Sequence, residues 1–338
     1  MMDLMEISSL RSAGKDAWIL AAVAAAVEAV VEKASKDGKP YLEVQLCDAR
    51  DRFALRVWSD NGQYDAAQSL ASGACLRLEG EFHVHPVFGL EARRWSFRAL
   101  EGEEKQNFLA GPADLRARQE EDYKFIADEV AGLQDPRLRA LAASYLEKFG
   151  PRFRRTAAAR FFHHARRGGL VEHTAQMMRY AVAICAANTS LHRDLLVGGV
   201  LFHDCGKLWE NCVEEEGFSM PFDERGELLG HINIGIELVN SLWKSLPLEQ
   251  WKEMTPDSED VRLHLLHLIA SHHGELEFGS PVQPKTPEAI ALHYIDNLDA
   301  KLEMLVRGYE SSARVADRVY DKVRPLNVRL VAPLSAGA

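Results

Sequence analysis

Cysteine is scarce and scattered in this chain: Cys47, Cys75, Cys185, Cys205 and Cys212 are odd in number and show no CxxC spacing. That excludes a disulfide framework and a cysteine zinc site, and leaves reduced packing thiols. Apolar runs of membrane length are missing as well. The run from Trp18 to Val27 imitates a secretory leader, but Asp3, Glu6 and Asp16 precede it and Glu28 closes it far short of a bilayer span. A cytoplasmic protein with no membrane partner is expected. Positive charge is not in excess: 40 basic against 50 acidic residues give a net charge of −10. Such a balance argues against a surface that coats nucleic acid generally, though not against a local basic groove. No internal repeat or low-complexity tract is found.

What is present points to two parts. At 338 residues the chain exceeds one ordinary hydrophobic core, so two domains with connecting helices are expected. Residues 17–101 alternate like strands of a small β-barrel. Leu42, Val44 and Leu46 share one face of the run Tyr41 to Cys47, and Phe53, Leu55 and Val57 share one face of the next. Further strands are expected over Ala74 to Val87 and Leu90 to Ala99. The stretch Ala21 to Ala34 is ambiguous: its composition favours helix, yet closing a barrel needs a strand there. Residues 1–16 read as an N-terminal extension, 102–135 as a linker and connecting helix, 136–325 as an all-α domain and 326–338 as a C-terminal tail.

The strongest chemical signal is His203-Asp204 inside the apolar helical run Leu195 to Lys207. An imidazole and a carboxylate are costly to bury there unless something binds them. His173, His231, His272, His273 and Asp296 lie in other helical segments. A lone histidine on an apolar helix face is usually a core residue, and His83, His85, His192, His264 and His267 are read that way. Several histidines and aspartates in four separate helical segments fit a metal centre better. Mixed imidazole and carboxylate donors suit Mn²⁺, Co²⁺, Fe²⁺, Ni²⁺ or Zn²⁺ rather than Mg²⁺ or Ca²⁺. An aspartate next to a histidine can bridge two ions, an arrangement suited to displacement at phosphorus.

The order His173, His203-Asp204, Asp296 resembles the HD-domain superfamily of metal-dependent phosphohydrolases. The match narrows in four segments: His163-His-Ala-Arg-Arg-Gly-Gly-Leu-Val-Glu-His-Thr174, Gly226-Glu-Leu-Leu-Gly-His-Ile232, Ser271-His-His-Gly-Glu-Leu-Glu-Phe-Gly-Ser-Pro281 and Glu288 to Lys301. These resemble YhaM-type 3′→5′ exoribonucleases. The resemblance implies a multidomain α and β protein, an N-terminal OB-fold β-barrel followed by an all-α HD domain. It further implies two ions per chain, one held by His173, His203, Asp204 and Asp296 and the other by Asp204, His231 and His272, with Mn²⁺ the leading choice. His273 is left to complete the second site, to orient the phosphate or to serve a third ion. Where the family carries Pro-Ala-Ala-Lys before the paired histidines, this chain has Thr156-Ala-Ala-Ala-Arg160.

The expected reaction is attack of a hydroxide shared by the ions on the terminal phosphodiester, releasing nucleoside 5′-monophosphates from single-stranded RNA. DNA as a substrate and a homo-oligomeric state are left open. Lys207, one turn beyond the pair, is a candidate catalytic cation, with His273 beside it. From Gly150 to Val171 the chain carries six arginines and no acid, which makes Arg160, His163 and His164 candidate substrate contacts; a solvated basic face is the plainer reading. Tyr41, Arg56 and Trp58 form a candidate stacking platform on the outer face of the barrel. Two rivals stand beside the nuclease: a phosphodiesterase for a small nucleotide such as a cyclic dinucleotide, and a non-catalytic RNA-binding adaptor.

Overall fold

The alanine-rich stretch near the start of the chain is a strand in the computed structural model, which describes residues 4–14, 17–85, 89–161 and 163–334. In chain order the first elements are β1 (Leu4–Met5), α1 (Ile7–Ala13), β2 (Ile19–Ala34), β3 (Pro40–Cys47), β4 (Arg52–Trp58), α2 (Tyr64–Gln68), β5 (Cys75–His85), β6 (Gly89–Ala99) and α3 (Gly102–Ala110). The helical series follows: α4 (Ala113–Ala131), α5 (Pro136–Phe153), α6 (Gly169–Ala187), α7 (Arg193–Phe202), α8 (Lys207–Glu210), α9 (Glu224–Lys244), α10 (Ser258–Ser271) and α11 (Pro287–Ser311). Three short strands end the chain, β7 (Arg314–Ala316), β8 (Val319–Val323) and β9 (Val328–Val331). The chain divides into a sheet unit, Met1–Ala113 with Val213–Met220 and Glu303–Ala338, and a helical unit, Asp114–Cys212 with Pro221–Leu302.

In the sheet unit the strand order is β4-β3-β2-β5-β6, with β1 parallel to β2. Beside β1, β2 serves two antiparallel partners: its first half pairs with β5 and its second half with β3, with a register shift between Val27 and Ala29. Helix propensity loses here because both faces of the strand are covered. Val23, Ala25 and Val27 are buried on one face and Ala22, Ala24 and Ala26 on the other. Small side chains are what such a doubly packed strand admits, and tertiary context overrides an intrinsic preference of a few tenths of a kcal/mol per residue. The alternation expected for β3 and β4 is observed, with Leu42, Val44, Leu46, Phe53, Leu55 and Val57 all in the core. The expected barrel closure is not: among the described residues no ladder joins β4 to β6, which remain the two edges of the sheet.

Several expected boundaries shift. Residues 4–13 are no mere extension, because Ile7 and Leu10 are fully buried in the sheet core. The strand expected over Ala74 to Val87 ends at His85 in β5, and residue 87 lies outside the described residues. Within the expected linker and connecting helix of 102–135, Gly102–Ala110 forms α3, since Gly102 and Gly111 stand at its ends while Glu103, Glu104, Lys105 and Gln106 favour helix. The helical unit closes at Leu302 rather than 325, and the tail expected from residue 326 supplies β9, whose Leu330 packs with Tyr320 and Val323. All five cysteines are free thiols. No helix of the described residues is long and apolar enough to cross a membrane.

The helical unit is built around α7, every residue of which from Asp194 to Phe202 is buried. Gly199 lets α10 close on it: a Cβ added there would lie 2.3 Å from the Leu268 side chain. The helix stops at Phe202, and residues 203–206 form a tight turn before α8. That turn presents His203 and Asp204.

Candidate metal centre

The site is assembled from five places in the helical unit. α6 contributes His173, the turn after α7 contributes His203 and Asp204, α9 contributes His231 just past its non-helical Gly230, the end of α10 contributes His272 and His273, and α11 contributes Asp296. His173, His203 and His272 are at most 1% exposed and Asp204 is 3% exposed. Burying so many ionisable groups together would be prohibitive without strong mutual compensation or a bound cation.

The imidazoles are fixed from behind. His203 Nδ1 donates to the Val200 carbonyl at 2.9 Å, His272 Nδ1 to the Ile269 carbonyl at 2.8 Å and His273 Nδ1 to the Phe278 carbonyl at 2.8 Å. His173 Nδ1 pairs with Asp299 Oδ2 at 2.7 Å, and His231 Nδ1 with Glu210 Oε2 at 2.7 Å. A carbonyl only accepts, so Nδ1 carries the proton in His203, His272 and His273 and their Nε2 atoms are left as donors to a cation. This backing is the arrangement that orients metal-binding histidines in general.

In front, the donor atoms fall into two groups sharing one carboxylate. Around Asp204 Oδ2 lie His203 Nε2 at 3.2 Å and His173 Nε2 at 3.9 Å. His173 Nε2 is also 3.3 Å from His203 Nε2 and 3.3 Å from Asp296 Oδ1. Around Asp204 Oδ1 lie His231 Nε2 at 3.5 Å and His272 Nε2 at 3.6 Å. Ligands about 2.1 Å from one ion are separated by roughly 3.0–3.4 Å; the spacings of 3.2 and 3.3 Å fit that range, and those of 3.5, 3.6 and 3.9 Å are longer. The second group passes a separate test: Asp204 Oδ1, His231 Nε2 and His272 Nε2 are buried and make no hydrogen bond. Buried polar atoms without partners are rare, and three converging ones fit a cation. His273 sits beside this group, its ring centroid 5.1 Å from that of His231.

The electrostatics follow from the same contacts. Burial opposes a charge on His173, but the Asp296 and Asp299 carboxylates outweigh it and push its pKa up to about 10. Burial likewise opposes ionisation of Asp204, yet the Lys207 ammonium and the adjoining His203 imidazole hold it well below the usual carboxylate range. Burial lowers His272, and burial with His272 nearby lowers His273 to about 4, so both are neutral at ordinary pH. Burial, reinforced by Lys207 and His173, lowers His163 to about 3.

The remaining expected residues fall as follows. Lys207, expected to point at the mouth of the site, is buried with Nζ 2.6 Å from Asp204 Oδ2. Arg160, expected to grip a phosphate, donates to the Glu210 and Pro221 carbonyls at 2.8 and 3.0 Å and covers the Phe222 ring at 4.0 Å. His163 lies against His173, ring centroids 5.6 Å apart. His164 Nε2 pairs with Asp299 Oδ2 at 3.0 Å and is buried, which makes it part of the scaffold behind His173. Arg166, Arg118 and Gln119 all engage the buried Glu172, so part of the arginine run is spent on a structural carboxylate.

In the sheet unit, Tyr41, Arg56 and Trp58 line a groove of about 820 Å³ that also takes in Trp18, Arg93 and Trp95. Tyr41 and Trp58 are cross-strand partners with rings 5.0 Å apart, and Lys39 Nζ lies 5.5 Å from the Trp58 ring. At Trp18, Arg93 stacks at 4.2 Å. Reading the sequence missed Trp18 and Arg93 in this groove and Glu210 in the metal centre. Trp18 was absorbed into an apolar run, and Glu210 carries no signal beyond standing three residues after Lys207.

Comparison with known proteins agrees with this geometry. The HD domain family matches residues 170–301, which span His173 to Asp296. The 3′-5′ exoribonuclease YhaM of Bacillus subtilis (strain 168) is 33% identical over 276 residues, covering 82% of this chain and 83% of that protein. The 3′-5′ exoribonuclease YhaM of Bacillus pumilus (strain SAFR-032) is 32% identical over 280 residues, with coverage of 82% and 83%. The similarity runs over most of both lengths, and the chain belongs to the YhaM family of 3′-5′ exoribonucleases.

Proposed function

We propose that this protein is a cytoplasmic 3′→5′ exoribonuclease that hydrolyses single-stranded RNA to nucleoside 5′-monophosphates at a centre for two Mn²⁺ ions. The observation that carries the two-ion reading is the Asp204 carboxylate, which turns one oxygen to each donor group. One ion would be held by His173, His203, Asp204 and Asp296, the other by Asp204, His231 and His272. Bound divalent ions of this kind lower the pKa of water and neutralise charge on phosphoryl oxygens during in-line displacement.

The chain's own groups supply the rest. Asp299 and Glu210 hold His173 and His231 so that both Nε2 atoms face the centre. Neutral His273 is available to orient a phosphoryl oxygen or to take a proton, and Lys207 offsets the charge of Asp204. His163 adds an uncharged face beside His173. The sheet unit, read as an OB-fold, would hold upstream nucleotides on Tyr41, Arg56 and Trp58.

The test is incubation of a 5′-labelled single-stranded RNA with the purified protein and Mn²⁺, followed by product length over time. A ladder shortening from the 3′ end is expected, lost in His203→Ala and Asp204→Ala variants that keep the wild-type unfolding transition. Inert RNA beside rapid hydrolysis of a cyclic dinucleotide would move the centre to small-nucleotide chemistry, and unchanged hydrolysis in both variants would remove these residues from it.

A further inference from the structure

Phe222 is 71% exposed, an unusual state for a phenylalanine in a chain with a well-filled core. Burying such a ring is favourable, so a side chain free to collapse onto the surface would do so. It is held out instead. The Arg160 guanidinium lies 4.0 Å from the ring centroid, and Arg160 Nη2 is itself tied to the Glu210 and Pro221 carbonyls. One π face is therefore covered by a fixed cation while the ring stays largely open to solvent.

The position of this stack gives it a use. Glu210, whose carbonyl holds Arg160, also holds His231 Nδ1 through its carboxylate, so Phe222 is connected to the second donor group through two anchored side chains. Three residues beyond Arg160, His163 packs on His173 of the first donor group. Phe161, next to Arg160, is 68% exposed. An exposed aromatic ring beside such a centre, with one face held by a cation as in Phe222, suits a flat apolar ligand with a π face.

Building on the nuclease reading, we propose that Phe222, backed by Arg160, is a nucleobase platform of the helical unit that stacks a base at the 3′ end of the substrate strand. Stacking on an aromatic side chain tolerates any base because each has a π face. A platform pre-set by Arg160 would bind without paying to order the ring. Arg160 then acts as a positioning residue.

The test is a double-mutant cycle between residue and base. Two 5′-labelled single-stranded RNAs of equal length, one ending in adenosine and one in an abasic ribonucleotide, are compared with wild-type protein, Phe222→Ala and Phe222→Trp. Michaelis constants with Mn²⁺ and dissociation constants by fluorescence anisotropy without added metal are both measured. Wild type should prefer the adenosine end by roughly tenfold, within the 5- to 150-fold range that one stacked base supplies. Phe222→Ala should lose that preference and Phe222→Trp should keep it. An adenosine-to-abasic ratio equal in wild type and Phe222→Ala overturns the platform even where RNA is degraded. If wild type degrades neither RNA, the nuclease reading fails, and the anisotropy cycle alone decides whether Phe222 binds a base.

Discussion

His173 shows how much one residue's surroundings decide. Its ring lies between Asp296 and Asp299 on α11, and the pair keeps it protonated up to about 10. In the ion-free protein this raised pKa contributes stability that is fully present below the ordinary value of 6.5 and is lost as pH rises through about 10. A cation must displace that proton to reach Nε2, so metal binding and proton release are linked. Apparent affinity for Mn²⁺, measured by competition with a chelator, should therefore keep rising by about tenfold per pH unit between roughly pH 7 and 9. A histidine with an ordinary pKa would give a plateau over that interval, and a plateau would remove His173 from the ligand set.

Among the elements, the turn between α7 and α8 has little freedom. A Cβ at Gly206 would lie 1.9 Å from the His231 carbonyl oxygen, so only glycine lets the His203-Asp204 turn approach α9 as it does. That approach brings Asp204 Oδ1 within 3.5 Å of His231 Nε2. Gly206→Ala should thus act on the second donor group as well as on packing. Overpacking of this kind costs about 1–3 kcal/mol, and Mn²⁺ binding should weaken beyond what the loss of stability explains. Calorimetric titration at a temperature where the variant is fully folded checks this, and wild-type affinity there would show that the contact is merely steric. Gly206 was visible in the sequence, but its role was not, because the carbonyl it faces belongs to a helix 25 residues away. The candidate ligands were legible for the opposite reason: a metal centre of this kind would demand histidine and aspartate whatever the intervening chain does. The short strands β7 to β9 escaped because register shifts between Arg314 and Ala316 and between Val319 and Lys322 break the alternation that identifies a strand.

For the whole molecule, the proposed function assigns holding a strand to the sheet unit and cutting it to the helical unit. The net charge of −10 gives no general attraction for RNA, so capture must rest on local features such as the aromatic and basic groove of the sheet unit. The donor groups lie wholly in the helical unit. Tethering a capture site to a catalytic site raises the effective concentration of a substrate long enough to engage both, and does nothing for one too short to do so. Substrate length therefore becomes the diagnostic variable. Tyr41→Ala and Trp58→Ala should each raise the Michaelis constant for a long single-stranded RNA by roughly tenfold, since a stacked base contributes about 1–3 kcal/mol. The constant for a dinucleotide should change far less. Parallel titrations of both substrates with each variant measure this ratio. Equal losses on long and short substrates would mean that the two side chains serve the fold of the sheet rather than strand capture. A long substrate left unaffected would place capture elsewhere on the molecule.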